Sequence, residues 1–287
     1  MQGTIIKGIG GFYYVKAEDG QIYECKARGI FRKENIKPMI GDQVQIELDG
    51  EKGSITAIGK RRTMLVRPPV ANVDVLVLVA AAAAPDPNLR LLDKMLIAAE
   101  AAGVASVLCI NKTDIQAGDT LRRIYQPAGY PVIEVSAKEE RGMAALWPYL
   151  RGKTSAFAGL SGVGKSSILN LLTGGGMETG EVSGKIQRGR HTTRHVELFE
   201  LDGGGFVLDT PGFSSFSLEN MQAAELWRYF PEMRDCAGAC RFTGCAHVNE
   251  PDCAVKEKLE DGGIAPERYE SYVEFYEQLR QIKAWEK

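Results

Sequence analysis

The residues best able to do chemistry fall in two groups. The first is Gly159-Leu160-Ser161-Gly162-Val163-Gly164-Lys165-Ser166-Ser167, which reads G-x-x-x-x-G-K-S from Gly159 to Ser166. Glycines at 159, 162 and 164 let backbone amides approach a phosphate and adopt positive φ, which a Cβ resists. Those amides make an anion cradle at a helix N-terminus. Lys165 would reach the β- and γ-phosphates, and the Ser166 hydroxyl would ligate Mg²⁺. A glycine-rich turn before a helix is the plain alternative. The second group is Cys240, Cys245, His247 and Cys253, four potential ligands within fourteen residues. Three thiolates and an imidazole form a closed tetrahedral set for one Zn²⁺. Cys236 stands close enough in sequence to exchange with Cys240 in that set.

The flanking elements decide the first case. An apolar run over 154–158 precedes the loop, and Ile168, Leu169, Leu171 and Leu172 follow it at helical spacing. Strand, phosphate loop and helix therefore come in the required order. Upstream, Val73–Val79 and Val104–Ile110 read as buried strands of the parallel kind, with an amphipathic helix over Leu89–Ala102 between them. Pro131–Val135 is a further strand, and Val196–Leu201 pairs with Gly205–Asp209 through Asp202-Gly203-Gly204. Strands alternating with helices predict one open α/β sheet.

Before residue 64 the texture differs. Five short alternating segments, punctuated by Gly10-Gly11, Asp19-Gly20, Gly41-Asp42 and Asp49-Gly50, predict a small barrel of the oligonucleotide-binding (OB) type. Lys26, Arg28, Arg32, Lys33 and Lys37, with Phe31 among them, and Lys60, Arg61, Arg62 and Arg67 are candidate nucleic-acid contacts; a solvated loop and linker is the alternative. Arg67-Pro68-Pro69 reads as a linker. The last helix, Glu267–Lys283, carries a packing stripe of Tyr269, Tyr272, Val273, Tyr276, Leu279 and Ile282. The expected domains are a barrel over 1–64, an α/β P-loop domain over 65–217 and a helical zinc-binding domain over 218–287.

Composition sets limits. Net charge is −2 over 287 residues, with a balance of +4 over residues 1–67 and −6 over the rest, so nucleic acid would be met by local patches. The start, MQGTIIKGIG, lacks the pattern of a signal peptide, and the most apolar stretch is too short to span a bilayer. A cytoplasmic monomer with no membrane contact is expected. Clustered cysteines in that setting favour metal over disulfides; Cys109 reads as core, and Cys25 carries no assigned role.

In open α/β sheets, ligands sit at the carboxyl ends of the strands. Four successive strand ends carry Asn111-Lys112-Thr113-Asp114, Ser136-Ala137-Lys138, the phosphate loop, and Asp209-Thr210-Pro211-Gly212. N-K-x-D, S-A-K, G-x-x-x-x-G-K-S and D-x-x-G are together the signatures of translation-factor-like GTPases. The order here, with N-K-x-D and S-A-K ahead of the P-loop, is a circular permutation. With the small barrel before it, Arg190-His191-Thr192-Thr193 within it and C-x-x-x-x-C-x-H-x-x-E-P-x-C after it, the whole chain resembles the bacterial small-ribosomal-subunit assembly GTPases of the RsgA (YjeQ) family.

The resemblance implies roles. Asp114 would accept from guanine N1–H and the 2-amino group, which adenine cannot offer. Asn111 would brace the pocket and contact the base, Lys112 would pack along it, and Thr113 completes that loop. Ser136, Ala137 and Lys138 would support the guanine O6 side. Asp209 would hold Mg²⁺ through water, Gly212 would sense the γ-phosphate, and Thr192 or Thr193 would close on Mg²⁺ as switch I. Phe213 stands where many GTPases carry the water-orienting Gln, so His191 becomes the candidate for that task. Lys165, Thr193 and His191 are the expected catalytic positions, with Arg190 and Arg194 as weaker candidates for charge stabilisation. The family's Zn²⁺ ligands correspond to Cys240, Cys245, His247 and Cys253, leaving Cys236 spare.

The expected function is GTP hydrolysis in late maturation of the small (30S) ribosomal subunit, with rRNA binding and ribosome-stimulated turnover. One alternative is a zinc-bearing RNA-binding switch whose GTP turnover is incidental. An ATP-dependent kinase is disfavoured by Asn111 and Asp114.

Overall fold

The computed structural model describes residues 1–33, 35–50, 52–65, 68–175, 196–210, 218–219 and 221–282. The chain packs as two compact units, Met1–Leu76 with Leu146–Ala158 and Lys165–Phe213, and Val77–Ala145 with Gly159–Gly164 and Ser214–Lys287. No helix among the described residues is long and apolar enough to cross a membrane.

The first unit begins with β1 (Gln2–Ile9), β2 (Phe12–Ala17), β3 (Ile22–Ala27), the short α1 (Ile30–Lys33), β4 (Gln43–Asp49) and β5 (Lys52–Ile58). They close a barrel in the order β1-β2-β3-β5-β4, with β3 and β5 parallel and β1 pairing β4. Alternation puts Ile5, Val15, Cys25, Val44, Ile46 and Ile55 inside. Phe31 joins them at 6% exposure, packed in the core while also lining a groove of the barrel. Arg61 departs from the nucleic-acid reading. Its guanidinium donates to both oxygens of the fully buried Asp42 at 2.7 and 2.8 Å and to the Lys37 carbonyl. Arg62 pairs with Asp74 at 2.9 Å.

Those ion pairs make the expected linker a built joint. β6 (Met64–Leu65) and β7 (Val70–Ala71) form a two-residue antiparallel ladder. Asn72, in the left-handed region, accepts from the Arg62 amide and donates to the Gly41 carbonyl. Pro68 and Pro69, expected in a linker, form a turn, and Leu65 before it and Val70 after it are buried.

The sheet strands follow: β8 (Val75–Ala81), α2 (Leu89–Ala102), β9 (Ala105–Asn111), α3 (Asp119–Tyr125), β10 (Val132–Glu134), α4 (Trp147–Leu150), β11 (Thr154–Ala158), α5 (Lys165–Leu172), β12 (Phe199–Glu200) and β13 (Phe206–Asp209). Their order is β10-β9-β8-β11-β13-β12. Every residue of β8 and β11 is buried, as a continuous apolar run in a parallel sheet requires. In α2, the Asn88 side chain caps the Leu91 amide, Gly103 ends the helix at φ 68°, and Leu92, Met95, Leu96 and Ala99 face inward. The strand expected over 196–201 is shorter, two residues long, and pairs as Phe199↔Val207 and Glu200↔Phe206.

In the second unit, a 3₁₀ stretch over Ala223–Tyr229, α6 (Pro231–Arg234), α7 (Ala254–Glu260) and α8 (Pro266–Gln281) complete the fold. The buried stripe of α8 is Arg268, Ser271, Tyr272, Phe275 and Leu279. Arg268 was absent from the expected stripe, yet it is fully buried. It donates to Asp93 of α2 at 2.6 Å and to Glu232 of α6 at 2.8 and 3.3 Å, with the Phe230 ring 4.6 Å away. Tyr125 and Ser271 donate to the same Asp93 carboxylate. Burying a guanidinium is tolerable only because both carboxylates and the ring faces compensate it.

Candidate functional site

In the second unit, β9 and β10 run parallel with Ile110 opposite Glu134, so N-K-T-D and S-A-K both follow the carboxyl ends of their strands. Asn111 is 3% exposed and both ends of its amide are engaged. Nδ2 donates to the Val163 carbonyl at 2.9 Å, and Oδ1 accepts from the Ala137 amide at 3.0 Å. One side chain thus ties the phosphate loop to the S-A-K turn. Gly164 makes this approach possible, with φ +96° and a Cβ position only 2.2 Å from Asn111 Nδ2. A Cβ at Gly159, φ +146°, would stand 2.2 Å from the Val79 carbonyl oxygen.

The Ser136 hydroxyl donates to Asp114 Oδ1 at 2.8 Å and accepts from the Glu139 amide. That bond is the main reason the Asp114 carboxyl lies below its ordinary value. Paired backbone bonds between Ser136 and Arg141 close the turn that carries Ala137 and Lys138. Thr113 donates to the Val135 carbonyl at 2.9 Å. Lys112 sits at φ 65°, and its ammonium donates to the Ala84 carbonyl at 2.5 Å. Ala84 was not legible as a partner, because a backbone carbonyl leaves no trace in residue types.

In the first unit, β11 and β13 run parallel with Phe157 opposite Asp209, and Thr210 anchors to the Phe157 carbonyl through both amide and hydroxyl. Lys165 opens α5. Burial lowers its ammonium below the usual lysine value, while the Asp209 carboxylate acts in the opposite sense. An ammonium already short of water is one that phosphate oxygens can satisfy. Ser166 and Ser167 are exposed in the first turn of the helix. The Ser166 hydroxyl and the Asp209 carboxylate are hard oxygen donors of the kind Mg²⁺ takes. His191, Thr192, Thr193 and Gly212 lie outside the described residues.

The second group also assembles, within the second unit. The ligand atoms of Cys240, Cys245, His247 and Cys253 all lie within 4.8 Å of one another. His247 Nδ1 is 3.5 Å from the sulfurs of Cys240 and Cys253, which are 3.9 Å apart. A tetrahedron with Zn–S and Zn–N bonds of standard length has edges of about 3.6–3.8 Å, so the set fits Zn²⁺. Cys236 is outside it, its thiol donating to the Met233 carbonyl at 3.4 Å. The loop is shaped from beneath by hydroxyls of α8: Tyr269 holds the His247 carbonyl at 2.8 Å and Tyr272 the Ala246 carbonyl at 2.6 Å. Glu250 accepts from the amides of Ala246, Val248 and Asn249. The tyrosine stripe is therefore both packing and scaffold.

On the barrel, a groove of about 610 Å³ is lined by Phe12, Tyr13, Lys26, Arg28 and Lys37 among others. The Lys26 ammonium lies 4.8 Å over the Phe12 ring.

Residues 58–219 match the model of the RsgA GTPase family, and residues 2–55 that of the RsgA N-terminal domain. The chain belongs to the RsgA GTPase family. Curated relatives named small ribosomal subunit biogenesis GTPase RsgA include that of Ruminiclostridium cellulolyticum, 49% identical over 98% of this chain and 94% of the relative. That of Agathobacter rectalis is 46% identical over 98% of each. The crystal structure of YjeQ from Thermotoga maritima superposes with a TM-score of 0.85 at 37% identity, covering 98% of this chain and 99% of that one. That of YloQ, described as a circularly permuted GTPase, gives 0.83 at 39%, covering 98% and 96%. The permuted motif order is thus that of the family.

Proposed function

We propose that this GTPase acts in biogenesis of the small ribosomal subunit, late in its maturation, by binding rRNA and hydrolysing GTP faster when docked. Asn111 carries the reading on the nucleotide side, because it joins the guanine-recognition loops to the phosphate loop through both ends of one buried amide. The relatives' names, at 46–49% identity over nearly the full chain, support the ribosomal assignment.

In this reading Asp114 accepts from the guanine edge while Ser136 fixes its orientation. Ala137 and Lys138 flank O6, and the amides of 159–167 cradle the phosphates. Lys165 neutralises charge developing on the β- and γ-phosphates, which is most of what phosphoryl transfer asks of a protein. Ser166, Asp209 and Thr192 or Thr193 hold Mg²⁺, which supplies further charge neutralisation when bound. Gly212 senses the γ-phosphate through its amide. Phe213 cannot orient water, so His191 takes that part when the protein is docked. Cys240, Cys245, His247 and Cys253 hold one structural Zn²⁺. The aromatic and basic barrel groove contacts rRNA. The protein works as a cytoplasmic monomer.

Co-sedimentation with purified small subunits tests the assignment. Retention with a non-hydrolysable GTP analogue and release with GDP is the expected result; equal retention in both states would remove the nucleotide from the docking cycle.

A further inference from the structure

In the second unit, α3 is held from two sides, and the nucleotide motifs account for only one of them. On the nucleotide side, the Ile115 and Gln116 amides fold back on the Lys112 carbonyl at 3.0 and 3.4 Å, and α3 begins at Asp119, close behind Asp114 in the chain. Its start is seated against the sheet. A Cβ at Gly118 would stand 2.8 Å from Glu134 Oε1 and 2.9 Å from Ile110 Cγ2. Arg122 of α3 donates to that same Glu134 oxygen. Glu134 ends β10, and Ser136 just beyond it is the group that donates to Asp114. The helix thus reaches the Asp114 carboxylate along the chain and again across the sheet. On the far side, Arg123 donates to Glu267 in the first turn of α8. Tyr125 donates to Asp93 Oδ1 at 3.0 Å, the oxygen that also takes the Arg268 guanidinium. That guanidinium lies 5.6 Å from the centre of the Tyr125 ring.

We propose that Arg122 and Arg123 are positioning residues for guanine recognition, and that through them α8 sets the grip of Asp114 on the base. The inference rests on the reading of Asp114 as the guanine acceptor. A carboxylate that accepts from N1–H and the 2-amino group together tolerates little rotation, because hydrogen bonds weaken steeply out of line. A lone exposed ion pair would hold it poorly. Here α3 cannot simply follow a displaced side chain, because Tyr125 locks its other end into a buried ionic network. A shift of α8 is therefore passed to α3 as a body, and from α3 to Glu134 and Ser136. By linkage, bound guanine nucleotide steadies α8 to the same extent. Since Tyr269 and Tyr272 of α8 hold the carbonyls of the zinc loop, whatever that loop docks against acts on nucleotide affinity by this route.

The test uses the full-length protein as Arg123→Glu, Glu267→Arg and the two combined. Tyr125→Phe is added because it keeps the ring and removes the bond to Asp93. Equilibrium titration measures affinity for GDP, for ADP and for inosine diphosphate, which keeps N1–H but lacks the 2-amino group. Each single variant should lose GDP affinity by roughly two- to fivefold, the scale of a part-exposed pair turned repulsive. Inosine diphosphate should lose less, because it makes only one of the two bonds to Asp114, so the preference for GDP over it should fall. The combined variant should restore both affinity and preference. Parental GDP affinity in the single variants, or a loss that the combined variant does not restore, would overturn the proposal. Equal losses for the two nucleotides would overturn it as well, since the whole site and not the hold on Asp114 would then have slackened. A parent that binds ADP as tightly as GDP would refute the guanine reading itself, and the proposal with it.

Discussion

Gly164 and Asn111 depend on each other. With φ +96° and its Cβ position 2.2 Å from Asn111 Nδ2, Gly164 admits no side chain without displacing the amide that joins two nucleotide loops. Gly164→Ala should therefore weaken GDP binding by at least about tenfold, the equivalent of about 1.4 kcal/mol. Equilibrium titration with a fluorescent GDP analogue measures it, and an unchanged affinity would mean that the brace is not used. In the proposed reading, Asp114 decides which base is taken. Asp114→Asn replaces an acceptor with a donor and should move preference from guanosine towards xanthosine nucleotides, whose 2-oxo group wants a hydrogen. Competition between the two nucleotides measures the shift; undiminished GTP selectivity would take Asp114 out of base recognition.

At the scale of elements, the zinc loop and the buried arginine make separate predictions. Elemental analysis should give one zinc per chain, lost in Cys253→Ser and kept in Cys236→Ser, because the Cys236 thiol is turned to the Met233 carbonyl. Zinc lost equally from both variants would redraw the ligand set. Arg268→Met leaves the Asp93 and Glu232 carboxylates buried without their cation. Denaturant unfolding should show a loss of about 3–5 kcal/mol. A loss below about 1 kcal/mol would show that water reaches the network. The difference between these cases explains what the sequence discloses. α2 was legible to its ends because its cap, its apolar spacing and its terminal glycine are all local. The nucleotide motifs were legible because each sits at a strand end and a parallel sheet gathers such ends. Arg268 was not, since its partners lie 175 and 36 residues away and an arginine in a helix reads as solvated. Arg61 failed in the same way, its charge met by Asp42 across nineteen residues. The hydroxyls of Tyr269 and Tyr272 were hidden because a tyrosine stripe spells packing whether or not its hydroxyls hold a loop.

On the scale of the whole molecule, charge separates the modules. Residues 1–67 carry twelve basic and eight acidic side chains, whereas residues 218–287 carry nine basic and fourteen acidic. The proposed contact with rRNA phosphates therefore falls mainly to the barrel, and docking should weaken steeply with salt. In sequence, Asp209-Thr210-Pro211-Gly212 leads straight into the segment that carries the Cys240, Cys245, His247 and Cys253 cluster. A site that lacks the water-orienting Gln should be slow alone, near the roughly 10⁻⁴ s⁻¹ of unassisted Ras-type GTPases. The most direct measurement is steady-state GTP turnover with and without purified small ribosomal subunits, with large subunits as control. Stimulation on the order of tenfold or more by small subunits alone is the predicted result. Equal rates with small subunits, large subunits and buffer would contradict it.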